Sequence, residues 1–379
     1  MEYVVDVKDR VRGKISNRCR IQMIHDVYYS LDAEHKDLFT KSCFGHLLNV
    51  ANMKIALQMV HQLILRSVKT SKQNEVWFKF GNQLARFGLE EFTLVTGLKA
   101  GELEFEDESL GLQCHLLQNH FKKNKGKITR KQLLSAFQKC SDQPDKFKLG
   151  LLLILAYVLL ATEENTNLNL WWFYLVDDLD RFNNYARGKR SYKYTIAIFK
   201  SDLGKKLKQC GKNDRYPYNF HGFPFAIMIC ALEAIPGLGE EFAHKLEGDR
   251  IPRMLGWEFE QLMREGEKVN RFLEYEITMR KVKVNCTLVP TLKEADEEFW
   301  QGMTPLDDVE DSRVDNSLNE DGGKESKEDA PSISMHHQPC DRPSSSHNNN
   351  VTQVDIQEMK ELERRLLRVI TDRFDQLTG

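Results

Sequence analysis

Apolar residues recur three and four positions apart along much of the first 300 residues, a spacing that places them on one face of a helix. Between positions 31 and 68 the spacing predicts a helical hairpin. The most apolar run, at 149–161, has about thirteen residues, well short of the roughly 20 that a membrane-spanning helix needs. It therefore predicts a buried core helix. The same spacing predicts further helices at 89–96, 130–139, 168–185 and 223–233.

Short-range signals mark where several of these helices begin and end. Thr129 followed by Gln132 has the sequence of a capping box, and Asp145 is placed to cap the core helix. Pro224 stands in a first turn, where its missing N–H costs little. Gly97 stands where a left-handed residue commonly ends a helix.

Two segments have the alternation of β-strands. Residues 75–87 alternate around Gly81-Asn82, which predicts a small β-hairpin. Residues 281–290 alternate Val, Val, Cys and Leu against polar positions and predict one more strand. The fold class is therefore expected to be mainly α, an α+β domain with a small hairpin and strand component.

The ends of the chain differ in character from its middle. We expect a basic N-terminal arm at 1–30, with a loop or frayed segment at 8–20, and a single helical domain at 31–300. Residues 301–350 are acidic and rich in Ser and Asn, with too few large apolar groups to offset chain entropy, so a disordered linker is predicted.

Residues 351–379 regain a helical period and predict an amphipathic helix suited to a coiled coil. At about three heptads this helix is marginal alone, so we expect it to pair with itself or with a protein partner. Its partner-facing residues are predicted to be Met359, Leu362, Leu366, Val369, Ile370, Phe374 and Leu377.

Composition limits the cellular setting. The chain has a net charge of −2 and eight cysteines, with no C-x-x-C pair and no leader sequence before them. We therefore expect reduced thiols in an intracellular protein, either cytosolic or nuclear, and nuclear location is favoured by its short lysine-rich runs. No membrane association and no small-molecule ligand or cofactor is indicated.

The order of several motifs resembles a plant family, the "domain of unknown function nineteen-eighty-five" family. The first part of the pattern is FGHLL at 44–48, EVWF at 75–78, RFGLEEF at 86–92 and TGL at 96–98. It continues with DDL at 177–179, GFPFA at 222–226, EAIP at 233–236, and PR at 252–253 followed by Trp257. The resemblance covers roughly residues 31–300, and several motifs in fixed order are more specific than any one of them.

The resemblance implies a plant protein related to transposon-derived genes, many of which are fused to a cysteine peptidase that processes the modifier SUMO. It implies no activity for the domain itself. Two positions depart from the usual pattern: Ala186-Arg187 stands where Pro-Trp is usual before Gly188, and Cys230 stands where Trp is common.

Such a peptidase needs a His, an Asp and a nucleophilic Cys in a Gln-plus-Asp-Cys-Gly context. That context is missing, because Cys210-Gly211 lacks the preceding Asp and Cys340 lies in the predicted linker. We therefore predict no catalytic residue and a protein that is not an enzyme.

Two groups of side chains could suggest a metal, and both are interpreted as structural. The spacing of Cys114, His115 and His120 matches no known zinc pattern, and a helix would place Cys114 and His115 on different faces. Three acids within four helical residues cannot converge alone, so we interpret them as a solvated face or structural arginine partners. These acids are Asp177, Asp178 and Asp180.

Basic residues interleaved with tyrosines between positions 187 and 212 have a composition suited to phosphate contacts and base stacking, although a solvated lysine surface is the simpler interpretation. The candidate nucleic-acid contacts are Arg187, Lys189, Arg190, Lys193, Lys205, Lys206 and Lys208.

The leading hypothesis is a non-enzymatic interaction or scaffold module of a transposon-related protein. The alternatives are a nucleic-acid-binding accessory factor and a fragment of a SUMO-peptidase fusion protein that lacks its catalytic domain.

Overall fold

A computed structural model describes residues 1–122, 126–201, 207, 215–259, 266–278 and 283–306. This part of the chain lies within one compact unit, Met1–Arg313. It is mainly helical, as predicted. The helices are α1 (Met23–Tyr29), α2 (Ala33–Lys41), α3 (Leu57–Ile64), α4 (Leu89–Thr96), α5 (Glu108–Gly111), α6 (His115–His120), α7 (Arg130–Lys139), α8 (Gln143–Ile154), α9 (Trp171–Leu175), α10 (Leu179–Asn184), α11 (Arg187–Lys200), α12 (Pro224–Ala234), α13 (Pro236–Phe242), α14 (Gly266–Thr278), α15 (Leu292–Ala295) and α16 (Glu298–Gln301).

Three short two-stranded sheets accompany these helices within the described ranges. The predicted hairpin is confirmed as β2 (Val76–Phe80) and β3 (Gln83–Phe87), which pair antiparallel across Gly81 at φ 59°. The others are β1 (Arg12–Asn17) paired parallel with β4 (Arg215–Phe220), and β5 (His244–Lys245) paired antiparallel with β6 (Trp257–Glu258).

The predicted core helix is α8, which continues as a π-helical turn over Leu155–Leu160. Every residue of this turn is buried, which agrees with the apolar run in the sequence. Helices α1, α2 and α7 pack on α8, and α11 packs on the π-helical turn. No helix among the described residues is long and apolar enough to cross a membrane.

The motif at 86–92 forms the junction between the hairpin and α4, which we call the hairpin junction. Arg86 at the end of β3 forms ion pairs with Glu75, Glu90 and Glu91. The Glu91 carboxylate is fully buried and accepts the backbone N–H of Gly88 at 2.8 Å, which caps α4. These charged residues therefore fix the angle at which the chain leaves the hairpin.

The motifs near 233 and 253 meet in a second junction, the Glu233–Arg253 junction. The Glu233 carboxylate accepts the indole N–H of Trp257 at 2.8 Å and lies 3.5 Å from Arg253 Nη1. Arg253 also donates both Nε and Nη2 to the two oxygens of Glu294, at 2.7 and 2.8 Å. This network connects α12, the 3₁₀ turn Arg253–Gly256 and α15.

The prediction of a loop or frayed segment at 8–20 is wrong. Strand β1 lies there and pairs with β4, and the residues after it form α1, whose Ile24 and Val27 are buried. The N-terminal residues are thus part of the compact unit. Pro217 lies inside β4, which is possible because a two-stranded sheet leaves each strand one edge that needs no N–H donor.

Four other local predictions change in detail. Residues 283–290 of the predicted strand at 281–290 are irregular, although Val284 N donates to Gln83 in β3. The predicted helix at 168–185 is two short helices, α9 and α10, because Asp178 caps a new start. Between 31 and 68, a 3₁₀ turn at Gly45–Val50 separates α2 from α3. Helix α8 is capped by Asp142, which leaves Asp145 available for another role.

The predicted linker at 301–350, beyond residue 306, and the predicted helix at 351–379 lie outside the described residues. So do the partner-facing residues Met359 to Leu377.

Candidate functional site

Two residues of the predicted nucleic-acid surface are buried inside the domain. Arg187 and Lys189, at the start of α11, are 1% and 6% exposed. Lys189 Nζ donates to Thr304 Oγ1 at 2.6 Å. Both side chains are buried in the folded domain, which disfavours a contact with nucleic acid.

Arg187 instead packs against two aromatic rings that also contact each other. Its guanidinium carbon lies 5.3 Å from the centre of the Phe44 ring and 4.9 Å from that of Phe182, and Nη1 donates to Asn183 O. A planar guanidinium stacks on aromatic faces much as a flat ring does. Arg187 therefore fills the position where the family pattern usually has Trp.

Arg190 is also committed within the domain. Its guanidinium forms an ion pair with Glu106, which is buried and also accepts the Tyr185 hydroxyl. Lys193 is half-buried on α11. Lys205, Lys206 and Lys208 lie outside the described residues, so their role as nucleic-acid contacts stays a prediction.

A different group of side chains converges between α6 and the loop joining α9 to α10: Cys114, His115 and Asp177, which we call the Cys–His–Asp cluster. One potential ligand atom from each residue lies within 4.8 Å of those of the other two. Cys114 Sγ is 3.1 Å from Asp177 Oδ2, and His115 Nδ1 is 3.2 Å from Asp177 Oδ1.

The local backbone explains why Cys114 and His115 point to the same place. Cys114 is the N-cap residue of α6, with extended φ and ψ of −65° and 137°, and His115 is the first helical residue. The expectation that a helix separates the two side chains is wrong, since only His115 lies in the helix. The cluster brings together residues of both groups that were interpreted from the sequence as structural, with Cys114 and His115 from the first and Asp177 from the second.

The acids at 177–180 have separate roles. Asp178 caps α10 by accepting the N–H of Arg181 at 3.0 Å. Asp177 takes no part in that cap, and its Oδ1 also accepts Lys148 Nζ at 2.8 Å. The carboxylate of Asp177 is therefore directed at the cluster and at a lysine beside it.

Asp145 holds the other side of the histidine. Its Oδ1 lies 2.8 Å from His115 Nε2 and its Oδ2 lies 2.8 Å from His120 Nε2. Burial acts to raise the pKa of Asp145, but the hydrogen bonds from His120 and His115 outweigh it and lower that pKa below its usual value. Asp145 therefore remains a carboxylate that orients two imidazoles.

The cysteine of the cluster is a protonated thiol at neutral pH. Burial, followed by the hydrogen bond and negative charge of Asp177, raises the pKa of Cys114 to about 12. Its Sγ also lies 3.1 Å from Phe173 O, a second acceptor for the thiol proton. Burial is the largest cause of a raised pKa for five more thiols, namely Cys19, Cys43, Cys140, Cys230 and Cys286.

Comparison with known proteins finds one family. Residues 64–198 match the family model described as Domain of unknown function (DUF1985), which supports the family resemblance over that part of the chain. The matched segment includes the hairpin junction and all three residues of the Cys–His–Asp cluster. No curated protein and no solved structure matches the chain.

Proposed function

We propose that this chain is a non-enzymatic interaction module, in which the helical domain is a rigid frame and the C-terminal segment binds a helical partner, in the first instance a second copy of itself. The observation that supports the proposal is that the charged residues of the family motifs bind one another. Among the described residues, they hold the hairpin junction and the Glu233–Arg253 junction together, which is a structural role.

The state of the thiols supports the same proposal. A cysteine nucleophile reacts as the thiolate, which a neighbouring imidazolium or lysine normally stabilises. Cys114 has the opposite environment, because the group next to its Sγ is the carboxylate of Asp177. This residue is therefore suited to packing or to binding a cation, and poorly suited to nucleophilic attack.

The interaction surface that we propose comes from the sequence. The apolar positions at 359–377 recur at helical spacing, and a helix of about three heptads needs a partner to be stable. The resemblance also favours a nuclear, SUMO-peptidase-associated setting, which we propose as the cellular context.

Sedimentation of the full 379-residue chain over a range of concentrations tests the proposal. We expect reversible self-association that is lost in the double variant Leu362→Asp, Leu366→Asp, because two charges would be buried in the helix interface. Gln357→Asp adds one aspartate at a position off the apolar face and is the control, in which self-association should be retained. A chain that stays monomeric at high concentration would exclude the self-pairing proposal.

A further inference from the structure

We propose that Cys114, His115 and Asp177 bind one divalent transition-metal ion of the zinc type. This inference is independent of the proposed interaction role. It rests on the mutual placement of the three side chains and on the groups that hold each of them.

The distances suit one ion. Zinc binds thiolate, imidazole and carboxylate at about 2.0–2.3 Å, so the ligands of a tetrahedral site stand about 3.3–3.7 Å apart. The distance from Cys114 Sγ to Asp177 Oδ2 is 3.1 Å, and His115 Nδ1 lies 3.2 Å from Oδ1, the other oxygen of the same carboxylate. With all three ligand atoms within 4.8 Å of one another, small side-chain rotations place them around a common centre.

The orientation of His115 matches that of a metal-binding imidazole. Such a histidine presents one ring nitrogen to the metal and donates the other N–H to a carboxylate. His115 presents Nδ1 to the cluster, while Nε2 lies 2.8 Å from Asp145 Oδ1. His120 holds the second oxygen of Asp145, which fixes the carboxylate in turn.

Asp177 is held in the same way. Lys148 Nζ binds its Oδ1 at 2.8 Å, so Oδ2, next to the Cys114 sulfur, is the oxygen available to an ion. Carboxylates that bind a metal ion in proteins are usually held by a hydrogen bond of this kind. Lys148 therefore positions the carboxylate of Asp177 and does not bind the ion itself.

The ligand set selects the kind of ion. On binding, the ion displaces the thiol proton of Cys114 to solvent, so the sulfur binds as a thiolate. A thiolate and an imidazole are softer donors than Mg²⁺ or Ca²⁺ prefer, and they suit Zn²⁺ or Co²⁺. The side chains of His115 and Asp177 are 46% and 30% exposed, whereas Cys114 is buried. An ion thus enters from the solvent side, where water completes its coordination.

Cobalt binding to the reduced full-length chain tests the proposal. Co²⁺ reports a cysteine ligand directly through a thiolate-to-cobalt charge-transfer band in the near ultraviolet, and visible bands report tetrahedral geometry. We expect both bands to saturate at one equivalent and to disappear when one equivalent of Zn²⁺ displaces the cobalt.

Three variants assign the ligands. Cys114→Ser is expected to abolish the charge-transfer band, and Asp145→Asn to weaken zinc binding by about 10–100-fold, as loss of a group that orients a ligand usually does. Cys286→Ser removes a partly buried thiol outside the cluster and is the control, with an unchanged band expected. Circular dichroism of each variant confirms that the fold is retained.

The native chain alone can overturn the proposal, so it does not depend on whether a variant folds. Absence of the charge-transfer band with excess Co²⁺ excludes the site. A band that persists in Cys114→Ser at native intensity places the metal on another cysteine and equally overturns the assignment.

Discussion

Gly97 ends α4 in the left-handed backbone conformation, which costs free energy for a residue that has a Cβ. Its φ is +67°, and its N–H donates to Thr93 O at 2.8 Å to close the last turn. A Cβ at this position would lie 2.7 Å from Cγ and 3.0 Å from Cβ of Pro252, whose ring cannot bend away. Gly97→Ala therefore combines backbone strain with a steric overlap between α4 and the segment that leads to the Glu233–Arg253 junction.

The two costs can be added roughly. A left-handed conformation costs a residue with a Cβ about 1–2 kcal/mol, and overpacking of a filled interior costs about 1–3 kcal/mol. The alanine also restricts the unfolded chain, which returns about 0.4–1 kcal/mol. We expect Gly97→Ala to lower the free energy of unfolding by about 2–4 kcal/mol in total.

Two other glycines separate these contributions. Gly248 has φ of +84° and no heavy atom within 4 Å of the place that a Cβ would take, so Gly248→Ala meets the strain alone. That substitution should cost about 0.5–1 kcal/mol. Gly237, in α13, has ordinary φ and its nearest neighbour, Phe272 Cζ, at 3.5 Å. Gly237→Ala should be neutral or stabilising by up to about 1 kcal/mol.

Urea unfolding of the three full-length variants, followed by circular dichroism, measures these differences as shifts in midpoint at constant m. The expected order of stability is Gly237→Ala, then Gly248→Ala, then Gly97→Ala. Equal losses for Gly97→Ala and Gly248→Ala would show that the Pro252 contact costs nothing, and a loss below about 0.5 kcal/mol at Gly97 would refute the strain argument as well.

Three further predictions concern charge and thiol chemistry. Burial acts to raise the pKa of Glu294, but the hydrogen bonds and charge of Arg253 outweigh it, so that this pKa is below its usual 4.5. The stability that results is present above pH 4.5 and is lost as the pH falls through the lowered pKa. Glu294→Gln should therefore flatten this part of a stability curve measured by urea unfolding from about pH 3 to 6. Cys114 in the folded, metal-free chain should react with iodoacetamide at least about 100-fold more slowly than in the unfolded chain at about pH 7.5, followed by mass spectrometry, and faster reaction would contradict its raised pKa. Arg187→Gln should leave the salt dependence of any DNA affinity unchanged in a salt titration. Neutralising Lys205, Lys206 or Lys208 should instead lower the slope of that dependence by about one for each phosphate contact removed.

The elements that could be predicted from the sequence are those formed by interactions between residues close together in the chain. The hairpin at 76–87 depends on alternation around a two-residue turn, and the Thr129 capping box depends on contacts three residues apart. The core helix is recognisable because a run of apolar residues must be buried wherever it lies. In each case the residues that determine the structure are neighbours in the chain.

The parallel sheet was missed because neither of its strands is recognisable alone. Strand β1 has the sequence RGKISN and strand β4 has RYPYNF, in which Pro217 argues against a strand. Each becomes a strand through pairing with a partner far away in the chain, for example Ile15 with Tyr218. Buried His61 adds to the sheet by bonding both Val11 O and the Tyr218 hydroxyl, and this contact also has no local signal.

The Cys–His–Asp cluster shows the same limit at the level of chemistry. Asp177 and Asp178 stand together in a family motif, yet helix capping explains only Asp178. The carboxylate of Asp177 contacts three residues much earlier in the chain, Cys114, His115 and Lys148. Because the backbone of Cys114 is extended, its side chain and that of His115, the first residue of α6, both point towards Asp177. In the proposed metal site, the first acid of this motif binds an ion, while the second caps the helix beside it. Replacing each acid by Asn tests which of them binds the ion. Asp177→Asn should lose cobalt binding with the fold retained, and Asp178→Asn, which is still a good N-cap, should keep both.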